Sequence, residues 1–449
     1  MNPNIFKAYD IRALYPSEID EPIARDIGRG FVAYLGAKQI VVSRDMRLSS
    51  PSLTEAFIEG ALAQGADVID HGMMATDMMY FAVASEKLDG GAQITASHNP
   101  KQYNGIKMVR AEALPLSGDA GLGEIRDMIQ NGTLPAPAAT PGRRTTRDVL
   151  AAYVEHVFSF IDEGAIKPFK CVLDAGNGMG GLVAPKLFER LPCHVIPMCM
   201  EVDGTFPNHE SNPLIEEDRA HIVERVVAEK ADIGIAWDGD ADRCFFIDGT
   251  GDFISGDFIT ALLAEAILRK RPGATIVYDL RASHAVKDIV TVMGGTAIMN
   301  RVGHSFIKKT MRDKDGVFGG EVTGHYYFRE NFYADNGFIP ALMLLELMSV
   351  KGQSLADLLA PLKAKYFISG EINTKVPSMD AVQAKLDGLS KRYADGAVTH
   401  LDGVSVEYPG WHFNVRPSNT EPLLRLNLEA TTPTEMEAKR DEVLGFIRA

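Results

Sequence analysis

Three times along the chain a short apolar run ends on an aspartate and a helix-patterned segment follows. Ile40-Val41-Val42 leads through Ser43-Arg44 to Asp45, with a helical pattern from Ser52 to Gln64 and a short strand at Asp67-Val68-Ile69. Cys171-Val172-Leu173 ends on Asp174, and a glycine-rich turn opens a helix over Leu182–Arg190. Thr275-Ile276-Val277-Tyr278 ends on Asp279, with Leu280-Arg281 and a helix from Ser283 to Met293 beyond it. Strands that alternate with helices in this way predict α/β units with parallel strands. The spacing between the three aspartates is too irregular for a solenoid and suits three related α/β domains.

The connecting segments agree with that division. Gly132–Gly142 is a Pro/Ala-rich linker without periodicity, and Thr146–Phe160 reads as a helix opening a second unit. A third unit starts near Gly249-Thr250-Gly251-Asp252. The last begins around Pro361–Tyr366 and ends in an amphipathic helix, Pro433–Arg448. The expected domains are 1–147, 148–249, 250–364 and a smaller, strand-richer 365–449. A chain of 449 residues has room for roughly three domains, within a range of two to four.

Composition narrows the function classes. Hydrophobic residues at 46% and charged residues at 24% are ordinary for a soluble globular protein. No stretch approaches the ~18–20 apolar residues of a membrane span; the richest, Phe338–Val350, carries Glu346. The amino terminus has no apolar core of a signal peptide, and the four cysteines show neither metal-ligand spacing nor a disulfide framework. A cytoplasmic location, without membrane association, is expected. The net charge of −14 argues against nucleic acid but not against a small anion held in a locally basic pocket.

Four loops carry the chemistry. In GAQITASHNPKQYNGIKM (Gly91–Met108), Ser97 leaves an apolar strand beside His98, with Lys107 ten residues on. Alone, such a pair reads as a serine in a turn. Between two apolar strands lies Asp238-Gly-Asp240-Ala-Asp242-Arg243, whose alternate carboxylates would converge in an extended chain. Three crowded carboxylates need a cation, and an all-oxygen set suits Mg²⁺ or Ca²⁺. An EF-hand counted from Asp238 fails, because Arg243 and Gly249 stand where Gly and Glu are required. Glu321, Thr323 and His325 in GEVTGH would share one face if extended, offering an acceptor, a hydroxyl and an imidazole to a polyol. Arg416-Pro-Ser418-Asn419-Thr420-Glu421 has the guanidinium, hydroxyls and amide of an anion cradle. Together these parts suit phosphoryl transfer, which needs an oxygen in line, a metal and basic groups. Ser97 supplies the oxygen, the three aspartates the metal site, and Arg243 and Lys107 added positive charge.

With TASHNP and YNGIK, DGDADR, GEVTGH and RPSNTE in this order, and DGTFPNH (Asp203–His209) among them, the chain resembles the α-D-phosphohexomutase family from end to end. The FKAYDIR element (Phe6–Arg12) resembles its phosphomannomutase/phosphoglucomutase branch rather than the phosphoglucosamine branch. The resemblance implies a four-domain, heart-shaped fold: three related α/β domains and a smaller C-terminal α+β domain, with a signature loop from each in a central cleft. It implies a hexose 1-phosphate/6-phosphate mutase working through phosphorylated Ser97 and a hexose 1,6-bisphosphate that serves as intermediate and activator. Mg²⁺ would be held by Asp238, Asp240, Asp242 and Ser97. Glu321 and Thr323 would hold sugar hydroxyls, while Arg416, Ser418, Asn419 and Thr420 would grip phosphate. Tyr9, Arg243, Arg281, His304 and His325 complete the implied substrate-binding set. Lys107, His98 and His325 are the candidates for proton transfer, with Lys107 favoured and Arg12 supporting it. Sugar phosphates are the expected partners, and a monomer or a homodimer the expected assembly.

Three positions depart from the family pattern: Ala13 for a glycine, expected to alter the turn after Arg12; Thr323 for a serine; and Arg281 for a lysine. A phosphoglucosamine mutase, a serine-dependent sugar phosphatase and a non-catalytic sugar-phosphate-binding protein are the alternative readings. The phosphatase differs only in letting water reach the phosphoserine.

Overall fold

The structure, a computed structural model, describes residues 1–118, 120–418 and 421–449. They form two compact units, the first comprising Met1–Ile254 with Thr323–Leu355 and the second Ser255–Val322 with Ala356–Ala449.

The first unit contains two sheets. In one, Gln39–Arg44 lies between Asp67–Met73 and Gly90–Ile94, parallel to both, with Ile40, Val41, Val42 and Ser43 buried. Tyr103–Arg110 and Ile11–Leu14 extend the sheet antiparallel from Gly90–Ile94, and Arg144–Thr146 closes the other edge. The helices Glu21–Leu35 and Ser50–Ala63 pack backbone to backbone. A β-carbon on Gly28 would stand 2.2 Å from the Phe57 carbonyl oxygen, and one on Gly60 2.0 Å from that of Arg25. Asp20 caps the first helix by accepting the Ile23 N–H, and Gly36 ends it in the left-handed region. The second sheet runs Phe253–Ile254, Cys244–Asp248, Ile233–Trp237, Lys170–Asp174, His194–Met198, with the last three strands parallel.

Thr323–Leu355 completes this unit with the hairpin Tyr326–Phe328/Ala334–Asp335 and the helix Ile339–Lys351. That helix is the most apolar run of the sequence, and its buried Glu346 accepts the Asp162 N–H at 2.8 Å. Trp237 Nε1 donates to the Gly337 carbonyl at 2.7 Å. Among the described residues no helix is long and apolar enough to cross a membrane.

In the second unit Thr275–Asp279 lies parallel between Thr296–Asn300 and Gly316–Gly320. A separate antiparallel sheet runs Phe367–Ile368, Leu423–Ala430, Trp411–Pro417, Val404–Tyr408, Ala397–Thr399, and Ile372–Lys375 also pairs with Leu423–Ala430. The helices Met379–Arg392 and Pro433–Arg448 share its apolar core. The chain is therefore α/β through most of its length and α+β at its carboxyl end.

Two local expectations change. Ala13 sits in the buried strand Ile11–Leu14, paired with Asn104, and not in a turn. The helix expected over Thr146–Phe160 spans only Leu150–Phe158, because Arg144–Thr146 is drawn into the first sheet as a strand.

The triplicated aspartate has one geometry. Asp45, Asp174 and Asp279 are buried, and each accepts the backbone N–H two residues on, from Arg47 at 3.0 Å, Gly176 at 2.9 Å and Arg281 at 2.8 Å. In the first and third copies that residue is an arginine that also donates Nε to the same carboxylate, at 3.2 Å and 3.0 Å. The second copy has glycine there, and Asp174 faces His209 Nε2 at 3.1 Å instead.

Candidate active site

The strand Gly90–Ile94 delivers the chain to Ser97, whose φ of 51° lies in the left-handed region that side chains other than glycine rarely adopt. Thr95 Oγ1 accepts the Ser97 N–H at 2.9 Å and holds that turn. Ser97 Oγ donates to Asp238 Oδ2 at 2.8 Å and lies 3.2 Å from His98 Nδ1. Beneath the loop, Arg47 is fully buried and donates to the carbonyls of Ser97 (2.8 Å), Asn99 (2.5 Å), Pro100 (2.9 Å) and Tyr103 (3.0 Å). Arg12 Nη1 donates to the Ala96 carbonyl at 2.7 Å, and its Nη2 pairs with Asp10 at 2.8 Å. Tyr9 lies in the bend just before Asp10.

The three aspartates converge, but through a turn and not through an extended chain. Trp237 and Cys244 are paired, so the six residues between them must reverse direction; Ala241 does so at φ 59°, with its N–H donating to the Asp238 carbonyl at 3.0 Å. One oxygen from each of Asp238, Asp240 and Asp242 lies within 4.8 Å of the others. Arg243 Nη2 neutralises Asp238 at 2.8 Å, and Lys107 Nζ bridges Asp240 Oδ2 at 2.7 Å and Asp242 Oδ2. Thr76 Oγ1 donates to Asp240 Oδ2 at 2.5 Å. Oδ1 of both Asp240 and Asp242 is buried without a hydrogen-bond partner among the described residues. Buried carboxylate oxygens left open in an all-oxygen set fit a hard divalent cation.

The charges reinforce one another. Burial, and then the neighbouring Asp240, push the Asp242 carboxyl up to about 6. Burial acts the same way on Asp240, but Lys107 outweighs it and holds that carboxyl below its usual range. Lys107 is kept protonated, since the pull of Asp240 and Asp242 overcomes the cost of its burial. Burial, with Arg243 and Arg12 nearby, keeps His98 neutral. His325 Nδ1 lies 3.1 Å from Asp335 Oδ2 and 3.9 Å from Asp242 Oδ1. The first unit thus gathers Ser97, His98, Lys107, Arg12, the three aspartates, Arg243 and His325.

GEVTGH is not extended. Glu321–His325 forms a turn, with Gly324 at φ 84°, so its polar side chains do not form the row that strand alternation would give. Thr323 and His325 belong to the first unit and Glu321 to the second. In the second unit Arg281 Nη2 reaches Asp279 at 2.9 Å and Glu321 at 3.6 Å, and its Nη1 reaches Glu371 at 3.4 Å. Arg416 Nη2 pairs with the same Glu371 at 3.1 Å, and Arg425 Nη1 with its other oxygen at 3.5 Å. Burial raises the Glu371 carboxyl, yet Arg281, Arg416 and Arg425 bring it below the usual range. Ser418 is buried, its N–H bonded to the Leu423 carbonyl. His304 is the first residue of the helix His304–Asp313. Asn419 and Thr420 lie outside the described residues.

Comparison with known proteins decides the family. The chain matches the domain families described as phosphoglucomutase/phosphomannomutase alpha/beta/alpha domains I, II and III at residues 3–135, 151–251 and 255–366, and the C-terminal domain at 371–445. The chain belongs to the phosphoglucomutase/phosphomannomutase family. Like its relatives it is a mutase, an enzyme that moves phosphate within a sugar. It is 44% identical over 446 residues to a protein of Xanthomonas campestris pv. campestris (strain B100) named "Phosphohexose mutases", covering 99% of both chains. A phosphomannomutase of Escherichia coli is 42% identical, again with 99% of each chain covered. A solved phosphoglucomutase/phosphomannomutase family protein from Burkholderia thailandensis superposes with a TM-score of 0.89 at 32% identity, covering 100% of this chain and 98% of that one.

Four residues of this mutase escaped the sequence reading: Arg47, Thr76, Asp335 and Glu371. Only Arg47 had a signal. Asp45-Met46-Arg47 repeats the spacing of Asp279-Leu280-Arg281, so the recognised Arg281 pointed to it. The other three are single polar residues in apolar or ordinary context, chosen by tertiary packing.

Proposed function

We propose that this mutase interconverts the 1- and 6-phosphates of mannose and/or glucose, with Ser97 as the phosphoryl carrier. The observation that carries the reading is the Ser97 hydroxyl, aimed 2.8 Å from Asp238 in a carboxylate trio with oxygens to spare. Asp238, Asp240, Asp242 and Ser97 would hold Mg²⁺, whose charge offsets that building on a transferring phosphoryl group. In the transfer, a sugar hydroxyl oxygen forms its bond to phosphorus as the Ser97 Oγ–phosphorus bond breaks. Reversal on the other phosphate of the hexose 1,6-bisphosphate restores phosphoserine. His98, neutral and 3.2 Å from Ser97 Oγ, is placed to take the proton that the attacking hydroxyl gives up and to return it to the oxygen set free, Ser97 Oγ in the first transfer and the sugar oxygen in its reversal. Lys107 acts as a fixed positive charge, because Asp240 and Asp242 hold its proton. Arg12 braces the serine loop.

Tyr9, Arg243, His304, Glu321, Thr323 and His325 are read as sugar-phosphate contacts, and Arg281, Arg416, Ser418, Asn419 and Thr420 as phosphate contacts. Glu371, between Arg281 and Arg416, marks where an anion is welcome. The phosphomannomutase names of the relatives favour mannose. Domains 1–147, 148–249, 250–364 and 365–449 and a cytoplasmic location complete the proposal.

The test is phosphorus NMR of the purified protein with Mg²⁺, a trace of hexose 1,6-bisphosphate, and mannose 1-phosphate or glucose 1-phosphate in separate tubes. The expected result is a growing 6-phosphate signal without free phosphate, abolished in Ser97→Ala with sugar-phosphate binding kept. Inorganic phosphate as the main product would replace the mutase reading with a phosphatase, and near-normal turnover in Ser97→Ala would remove Ser97 from its role.

A further inference from the structure

The second copy of the strand-end aspartate differs from the other two in a way that matters chemically. Asp45 and Asp279 are each consumed by an arginine two residues on, whereas Asp174 has Gly176 there and keeps Oδ2 for other partners. What faces it is an imidazole and a thiol. His209 Nε2 lies 3.1 Å from Asp174 Oδ2 and 3.7 Å from Cys199 Sγ, and all three ligand atoms lie within 4.8 Å of one another.

We propose that Asp174, Cys199 and His209 form a second divalent-metal site, of the zinc class, with a fourth position open to water. Two of the three ligand separations are close to those of a tetrahedral site, and the third lies within 4.8 Å. Nitrogen and oxygen ligands at about 2.0–2.1 Å from zinc and sulfur at about 2.3 Å stand roughly 3.3–3.6 Å apart, close to the two distances here. The donor set also selects the metal, since thiolate and imidazole favour zinc-like ions over Mg²⁺.

The ring is oriented for ligation. His209 Nδ1 lies 2.8 Å from the Glu210 carbonyl, to which it donates, and this leaves Nε2 to face the other two ligands. A hydrolytic Cys-His-Asp arrangement would place the carboxylate on the ring nitrogen opposite the thiol. Here carboxylate and thiol share one nitrogen, so the three atoms converge on a point and do not relay a proton. Cys199 is partly exposed, which gives an ion a way in, while the side chains of His209 and Asp174 are 8% and 3% exposed.

The site shares no ligand with the Asp238/Asp240/Asp242 trio but is linked to it mechanically. The segment from Cys199 to Ser211 meets the turn after Asp174 at Gly176, where a β-carbon would stand 3.1 Å from Ser211 Cβ. Ser211 Oγ in turn packs on Gly239 of the acidic turn. A metal at the second site fastens this segment to the strand end and so stiffens the support of the acidic turn.

The experiment is a Co²⁺ titration of the full-length protein in excess Mg²⁺, which occupies the all-oxygen trio. A single equivalent is expected to give a near-ultraviolet thiolate-to-cobalt band with the visible bands of a four-coordinate ion, both displaced by Zn²⁺. The near-ultraviolet band should vanish in Cys199→Ser and persist in Cys193→Ser and Asp240→Asn. Zn²⁺ should raise the thermal midpoint of the parent protein and leave that of His209→Gln unchanged, a readout that stands if Cys199→Ser fails to fold. No thiolate band, a band that survives Cys199→Ser, or an equal zinc shift in His209→Gln would overturn the proposal.

Discussion

At Gly239 the acidic turn passes so close to the serine loop that a β-carbon would lie 2.5 Å from the Ser97 carbonyl oxygen and 2.7 Å from Ser211 Oγ. Gly239→Ala must therefore push the two loops apart, lengthening the contact between Ser97 Oγ and Asp238. Displacements of about 1 Å in reacting groups cost roughly 100-fold in rate. We expect kcat to fall by about that factor with the thermal midpoint lowered only modestly; unchanged kcat would show that the contact is not needed for turnover. A second residue-scale prediction concerns Glu429. Burial, with Asp257 adding to it, raises this carboxyl to about 7, and its Oε2 has no hydrogen-bond partner among the described residues. With the folded-state value raised above the ordinary 4.5, the folded protein binds the extra proton between the two. Stability is then greatest below about 4.5 and is lost as pH rises through about 7, by on the order of 3 kcal/mol. Glu429→Gln is expected to be more stable than the parent at pH 8, with the difference vanishing near pH 4.5. Urea unfolding at the two pH values measures it.

At the scale of elements, the recurring unit is a strand, a buried aspartate and the turn that the aspartate builds by accepting the amide two residues on. In its first copy the turn carries Arg47, which ties the serine loop to the sheet through four carbonyls. Arg47→Met keeps most of the side-chain volume but leaves Asp45 as a buried, uncompensated charge. The expected loss is about 3–5 kcal/mol of stability, read as a lower urea midpoint, together with a fall in kcat as the loop loses its support. A loss under 1 kcal/mol would mean that water takes over the arginine's contacts. Much of this scale was legible in the sequence, because strand and helix periodicities are local and the three apolar–Asp runs are unmistakable. What alternation could not give was the path of the loops. Asp238–Arg243 and Glu321–His325 both turn, Ala241 and Gly324 taking positive φ, so extended-chain reasoning reached convergent carboxylates by the wrong geometry in one case and an unformed row in the other. The partners of a buried charge, such as Glu371 for Arg281 and Arg416, are fixed by packing between distant segments and leave no periodic trace.

At the scale of the whole molecule, the order of residues along the chain and their grouping in space part company. The first unit takes Met1–Ile254 and then, after Ser255–Val322 has gone to the second, recovers Thr323–Leu355. The returning segment is core: Phe338, Ile339, Leu342, Leu344 and Leu345 are fully buried, Asn336 donates to the Tyr153 hydroxyl at 2.8 Å, and Gly337 accepts from Trp237. A chain ended after Ile254 is expected to keep helical far-ultraviolet dichroism but lose the near-ultraviolet signal of Trp237 and bind a hydrophobic dye. Native near-ultraviolet dichroism in that fragment would contradict the assignment of Thr323–Leu355 to its core. The same interleaving sets a schedule for synthesis. A ribosome adding about 5–20 residues per second needs several seconds to pass through the roughly 100 residues between Ile254 and Leu355. Throughout that interval the nascent amino-terminal part holds its serine loop and acidic turn with an apolar face still waiting for its last helix, a window in which a chaperone has something to cover.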